Sequence, residues 1–272
     1  KSEGNFLFGS PTPGLFVVKM NNPKKKNAIS TADQIEMVEI YKQAINDPTV
    51  KCILLHGGEF FSSGNDLSAL AQGLFLEKDE FKRSCEEGIH GILKNTLDTF
   101  LECPKPLIAL VRGSSIGISC TMLSLFDFVY CSEDAKFNTP FMKTFQSPEG
   151  SSTLNFPLLM GRRKTNEMLM LDKTMTSQEA LECGFINGII KSFPPGYEES
   201  DFSFVPCVPP LLKADLYALT NCKKLLMNAR DNELIKKVIT AEGQALIDTW
   251  LEDGFKEKII NFMSQMSTKA KL

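Results

Sequence analysis

The sequence predicts an α/β protein, and three observations predict it. Short apolar runs alternate with helix-period segments through roughly the first 190 residues, glycine-bearing turns sit where several of those runs end, and no internal repeat or low-complexity tract interrupts the pattern. The 272 residues are 43% apolar and 23% charged, the usage of an ordinary globular chain with a large core.

Leu15–Met20 reads as a first strand. A loop holding Lys24, Lys25 and Lys26 follows, and Ser30 or Thr31 caps a helix with Ile35, Val38, Tyr41 and Ile45 on one face, ended at Asp47-Pro48. Val50–Leu55 is a buried strand broken by Gly57-Gly58. A long helix lies between Glu80 and Leu101, and Pro104 and Pro106 stop it. Leu107–Val111 is the next strand, Gly113-Ser-Ser-Ile-Gly117 a tight turn into a helix running to about Leu125, and Phe128–Cys131 a further strand. After the turn Gln146-Ser-Pro-Glu-Gly150 come a helix over Ser151–Met160 closed by Gly161, a short helix from Ser177, and a strand over Phe185–Ile190. Five prolines between Pro194 and Pro210 mark a linker, with a boundary near 205. The expected division is a core over 1–205 and a helical region over 206–272, the latter with helices near 211–227, 232–250 and 254–266.

Charge and composition exclude several classes of function. Thirty basic against 33 acidic residues leave a formal charge of −3, so nothing draws the chain to nucleic acid. The longest apolar run, Leu107–Val111, is far below the roughly 18 residues of a membrane span. Eight cysteines without a Cys-x-x-Cys pair suit free thiols in a reducing compartment. The start of the sequence lacks the apolar stretch of a signal peptide. The ending Ala270-Lys271-Leu272 resembles the small-basic-Leu address read by the peroxisomal import receptor, so a peroxisomal setting is expected, with a mitochondrial one as second choice.

Gly113-Ser-Ser115-Ile-Gly117 fits the Gly-x-Ser-x-Gly pattern of a hydrolase nucleophile, but that fold places its histidine after the serine. His56 and His90, the two histidines, both precede Ser115. Two histidines and scattered cysteines also make a poor zinc set. Neither Gly-x-Gly-x-x-Gly nor a P-loop is present. Three turns remain: Phe61-Ser-Ser-Gly64-Asn65-Asp66-Leu67, Gly113–Ile118, and Gln146–Gly150. In the first two, glycines stand where a strand gives way to a helix, so unpaired backbone N–H groups are available to hold one oxyanion. Taken singly, such glycines are ordinary punctuation.

Together with Asn27-Ala28-Ile29, Pro104-Lys-Pro-Leu-Ile-Ala109 and Leu125-Phe-Asp-Phe-Val-Tyr130, these turns resemble the crotonase (enoyl-CoA hydratase/isomerase) superfamily. Thr139-Pro-Phe141, Gln146-Ser-Pro-Glu-Gly150 and Pro23–Ile29 are similar to its peroxisomal Δ3,Δ2-enoyl-CoA isomerase branch. The likeness runs over residues 14 to about 190 and more weakly through the helical tail. It implies a spiral of ββα units with a C-terminal helical region, and assembly as a homotrimer or hexamer. It also implies the backbone N–H groups of Asn65 and Ile118 as an oxyanion hole and Glu149 as acid and base. The implied substrate is an acyl-CoA, with coenzyme A part of the substrate and no metal or redox cofactor.

The same resemblance makes Lys24, Lys25 and Lys26 candidates to face coenzyme A phosphates. It lines the groove with Ala28, Ser63, Asp66, Leu67 and Gly117, and gives the acyl chain an apolar tunnel with Leu70, Phe141 and Phe145. The hydratase branch needs two carboxylates, and Thr121 and Phe141 stand at the matching positions, so hydration is disfavoured. The alternatives are a Δ3,5,Δ2,4-dienoyl-CoA isomerase, which adds a carboxylate at or near position 141, and a non-catalytic CoA-binding or assembly subunit of the same fold.

Overall fold

The computed structural model describes residues 2–269; Ala270, Lys271 and Leu272 lie outside the described residues. Two strands open the chain, β1 (Ser2–Glu3) and β2 (Phe6–Thr12), and β2 returns antiparallel to β3 (Leu15–Met20). Strand β2 goes beyond the sequence expectation, because Gly9, Ser10 and Pro11 interrupt its apolar alternation. The 3₁₀ turn Pro23–Lys25 leads to α1 (Thr31–Asn46), which is capped by Ser30 and Asp33 in a reciprocal capping box. Its buried face is Met37, Ile40, Tyr41 and Ala44, whereas Ile35 is 51% exposed, so the expected apolar stripe is rotated toward the Tyr41 side.

Next come β4 (Cys52–His56), α2 (Ser68–Gly73) and one long helical run made of α3 (Lys78–Glu86), a π-helical stretch (Glu87–Leu93) and α4 (Lys94–Leu101). Then follow β5 (Leu107–Val111), β6 (Ser114–Ile116), α5 (Ile118–Thr121) with a 3₁₀ extension to Leu125, β7 (Phe128–Ser132) and β8 (Lys136–Asn138). Helices α6 (Ser152–Met160) and α7 (Arg162–Leu171), strand β9 (Met175–Thr176), α8 (Ser177–Glu182) and β10 (Gly188–Ile190) complete the spiral. Four helices follow: α9 (Val208–Lys213), α10 (Leu216–Ala229), α11 (Asn232–Leu251) and α12 (Phe255–Lys269).

The main sheet runs β1-β2-β3-β4-β5-β7-β10, parallel from β3 onward. A parallel sheet is buried on both faces, and the period-two alternation shows how. Ile53, Leu55, Leu107, Ala109 and Val111 point into the large helical core, while Cys52, Leu54, Ile108 and Leu110 point into a second cluster on the other face. The second cluster is built by the proline-rich segment, in which Tyr197, Phe202, Val205, Cys207 and Val208 are all buried. That segment is therefore a packed covering layer where the sequence suggested a linker, because its aromatic side chains have a whole sheet face to cover. From the helical tail, Ile235, Ile239, Leu246, Ile247, Phe255 and Ile259 enter the large core.

Gly113–Gly117, expected as a turn, contains β6. It pairs with β8 in a small second sheet, β6-β8-β9, and an isolated bridge joins Ser115 to Ser62. The carboxyl ends of β4 and β5 thus deliver two loops, 57–67 and 112–117, side by side, the usual position for a ligand site on a parallel sheet.

Candidate active site

Backbone hydrogen bonds lace the two loops together. Phe61 N–H donates to Arg112 O at 2.8 Å, Ser62 N–H to Ser114 O at 3.1 Å, and Ile116 N–H to Ser62 O at 3.1 Å. Asn27, left-handed at φ 52°, fixes the first loop from behind: its side-chain amide donates to the carbonyls of Gly57, Phe60 and Phe61, and its Oδ1 accepts from Asn22 N–H. Few residues tolerate that backbone region while offering both a donor and an acceptor, which accounts for Asn in Asn27-Ala28-Ile29. Ile29 N–H then donates to Gly64 O, and Asp66 N–H to Ile29 O.

These bonds leave the amide between them free. Among the described residues no internal acceptor takes the N–H of Asn65 or that of Ile118. Gly64 (φ 87°) comes so close to the second loop that an added Cβ would lie 2.5 Å from Ile116 O. Gly117, at φ 58° and ψ −128°, occupies a region essentially reserved for glycine and turns Ile118 into the first position of α5. Asn65, Gly117 and Ile118 line one cavity together with Ser63, Leu67, Phe141, Gln146 and Glu149.

Glu149 is 3% exposed. Its Oε1 accepts from Thr121 Oγ1 at 3.0 Å, and its Oε2 has no hydrogen-bond partner among the described residues. Burial, and then the nearby carboxylate of Glu242, push its pKa up to about 8 against the Thr121 hydrogen bond. Gly150 follows at φ 73°, and a Cβ there would stand 2.4 Å from Thr121 Oγ1, so both the backbone and the contact call for glycine. Ser151 is left-handed at φ 63° and starts α6. Among the described residues Glu149 is the one ionisable side chain lining this cavity.

A second cavity shares Asn65, Leu67 and Gln146 with the first and continues between α1, α2 and the π-helical stretch. Leu70, Phe81, Ile89, Leu93 and Trp250 give it apolar walls, and Asp66 stands at its edge. The sequence-derived set is therefore brought together in large part. Phe145 is not brought in: it is 39% exposed, sits at φ 54°, and has Lys258 Nζ 6.0 Å from its ring centre. Ala28 and the three lysines line neither cavity. Lys24 is exposed. Lys25 pairs with Asp66 at 2.8 Å, and Lys26 lies 5.7 Å from the Phe60 ring centre. Asp66 also accepts from Ser68 N–H; Lys25 and Ser68 overcome the effect of burial and hold its carboxyl at about 2.

Glu242 on α11 is absent from the sequence-derived set. It is 6% exposed, and its carboxylate accepts from Ser151 N–H at 2.6 Å, Thr153 N–H at 2.9 Å and Thr153 Oγ1 at 2.6 Å. The helix does carry a signal for it: Glu242 follows Ile239 by three residues and precedes Leu246 by four, so an acid interrupts the buried stripe.

A buried carboxyl and two amides without an internal acceptor line one small cavity, an arrangement able to hold an oxyanion and to exchange a proton. The chain belongs to the enoyl-CoA hydratase/isomerase family, whose model matches residues 11–269, and it has the crotonase fold. It is 35% identical over 260 residues to the enoyl-CoA delta isomerase 2 of Homo sapiens, covering 93% of this chain and 62% of that protein's length. It is 31% identical over 259 residues to the enoyl-CoA delta isomerase 3, peroxisomal, of Mus musculus, covering 95% and 78%. The crystal structure of the enoyl-CoA hydratase from Bacillus halodurans superposes with a TM-score of 0.83 at 22% identity, over 95% of this chain and all of that one.

Proposed function

We propose that this chain is a Δ3,Δ2-enoyl-CoA isomerase, converting cis- or trans-3-enoyl-CoA to trans-2-enoyl-CoA in the β-oxidation of unsaturated fatty acids. The carrying observation is that Glu149, the ionisable side chain of the cavity among the described residues, lines it together with the free amides of Asn65 and Ile118.

Moving the double bond requires removing a proton from C2 and returning one at C4, through a dienolate whose charge rests largely on the thioester oxygen. The Asn65 and Ile118 N–H groups hold that oxygen and stabilise the charge as it develops. One such donor is worth about 3 kcal/mol, or about a hundredfold in rate. Glu149 takes the C2 proton on its unpartnered Oε2 and delivers it to C4 on the same face of the acyl chain. Burial suits both halves of the proton transfer, because a carboxylate raised to about 8 is a stronger base toward carbon, and the acid it becomes is screened from exchange with water. The cavity lined by Leu70, Ile89 and Leu93 gives the acyl tail an apolar path, and the coenzyme A phosphates are assigned to the exposed lysines at 24–26.

Phe141 supports this reading over the dienoyl-CoA isomerase, which adds a carboxylate there. The relatives' names support isomerisation as the chemistry. A peroxisomal setting accords with the name of the mouse relative. A homotrimer or hexamer accords with the exposed Leu158, Met170 and Leu171 of α6 and α7, and sedimentation tests it. Among the described residues no helix is long and apolar enough to cross a membrane. Purified protein given 3-hexenoyl-CoA should generate conjugated-enoyl absorbance, and 2-hexenoyl-CoA should not be hydrated at a comparable rate. Inert protein that still binds coenzyme A would favour the non-catalytic subunit.

A further inference from the structure

We propose that Glu242 is the positioning residue of the catalytic carboxyl: from α11 it grips the turn after Glu149 through Ser151 N–H, Thr153 N–H and the Thr153 hydroxyl. The inference rests on the reading of Glu149 as the acid and base.

The turn needs an external hold. Glu149 is followed by two left-handed residues, Gly150 and Ser151, and a left-handed residue other than glycine is a costly conformation that its surroundings must enforce. The first N–H groups of α6 have no acceptor within their own helix, and the Ser151 side chain supplies no cap. Glu242 supplies it from 91 residues away, one oxygen receiving Ser151 N–H and the other both Thr153 donors. All three contacts are donors, so they match an ionised carboxylate, which only accepts. Gly243 lets α11 come close enough, since a Cβ there would lie 2.7 Å from Ile89 Cγ2 in the wall of the acyl cavity.

The same grip sets the charge around Glu149. The groups facing it are Thr121 Oγ1 from α5, the buried Cys120 thiol beside it, and Glu242 from α11. Thr121 favours the ionised form and Glu242 opposes it. Glu242 therefore holds the carboxyl in place and keeps it basic, a coupling between the tail helix and the catalytic turn that an anchor of purely structural kind would lack.

The test is the pH dependence of kcat/KM for 3-hexenoyl-CoA in five proteins, with the fold of each checked by circular dichroism. Wild type active and Glu149→Gln inactive establish the underlying reading; wild type inert refutes that reading whatever Glu242 does. Given that, Glu242→Gln removes the charge and should move the acid limb down by about one pH unit, with kcat about tenfold lower and KM nearly unchanged. Glu242→Asp keeps the charge but shortens the reach, and should lower kcat while leaving the limb within a few tenths of a pH unit of wild type. Thr121→Val should move the limb the opposite way. An unmoved limb in Glu242→Gln overturns the proposal. If that variant does not fold, a ¹³C-glutamate titration of the wild-type protein decides: Glu149 should titrate in two coupled steps shared with Glu242, and independent single steps overturn it.

Discussion

Glu149 and His56 are both fully enclosed titratable side chains with one atom lacking a hydrogen-bond partner among the described residues, Oε2 in one case and Nε2 in the other. They sit on opposite sides of the sheet system and meet different surroundings. Glu149 borders a cavity that two amides without an internal acceptor also line. His56 ends β4 against the second cluster, its ring 5.3 Å from that of Phe202 and 5.9 Å from that of Tyr197, with Nδ1 accepting from Gly58 N–H. Burial, helped by Lys19, drives the imidazole down to about 3, so it is neutral throughout the physiological range. A perturbed group is thus not yet a site. Chemistry also needs space for a reactant and donors placed where charge will develop.

The comparison breaks most visibly in turnover. Glu149→Gln should lower kcat about a thousandfold while leaving coenzyme A binding intact. His56→Leu should leave kcat within a factor of about two and lower stability by about 1–2 kcal/mol, because Gly58 N–H loses its acceptor. Equal losses in both variants, measured with saturating substrate, would erase the distinction.

Two left-handed glycines provide the next contrast. Gly64→Ala forces a Cβ toward Ile116 O and displaces the adjoining Asn65 N–H, for an expected loss of about a hundredfold in kcat/KM. Gly196→Ala, in the outer covering segment at φ 65°, meets no atom within 4 Å and should cost about 1 kcal/mol of stability with no change in rate.

The pH dependences sharpen the contrast further. Wild-type kcat/KM should fall by about tenfold per pH unit below about 8, as the base Glu149 takes up its proton. Stability should respond with opposite signs at the two groups. The folded Glu149 carboxyl titrates above its unfolded value of 4.5, so the native state holds the extra proton, and its contribution is full below 4.5 and lost as pH rises toward 8. Glu149→Gln should therefore melt above wild type at pH 8, by about 3 °C, and converge with it near pH 5. His56 titrates in the folded state far below its unfolded 6.5, so its contribution is present above 6.5 and lost as pH falls toward 3. His56→Leu should flatten that acid arm. Calorimetry across pH 4–8 reads both.

Much of the architecture is legible in the sequence because it rests on local signals. Residues 52–55 and Leu107–Val111 are continuous apolar runs, and Ser30 and Gly161 mark helix ends. Strands β8 and β9 carry no such signal: they have three and two residues, and the pairing of β8 with β6 and of β9 with β8 is fixed by tertiary contact alone. The proline-rich segment misleads for a related reason, since proline counts register turns but not the sheet face that Tyr197 and Phe202 cover. In the site, Gly64, Gly117 and Gly150 announce themselves through residue type. Glu242 shows locally only as an acid interrupting the buried stripe of α11; its partner does not show, because Ser151 lies 91 residues away and local spacing carries no information about that approach.

The central claim is that one enclosed carboxyl both removes and returns the proton, and substrate deuterated at C2 tests it most directly. In a single turnover of 3-hexenoyl-CoA in ordinary water, Glu149 should carry deuterium from C2 to C4 of the product in part, ahead of exchange with solvent. Product whose C4 hydrogen comes wholly from water at the earliest times, together with turnover that survives Glu149→Gln, would contradict the account.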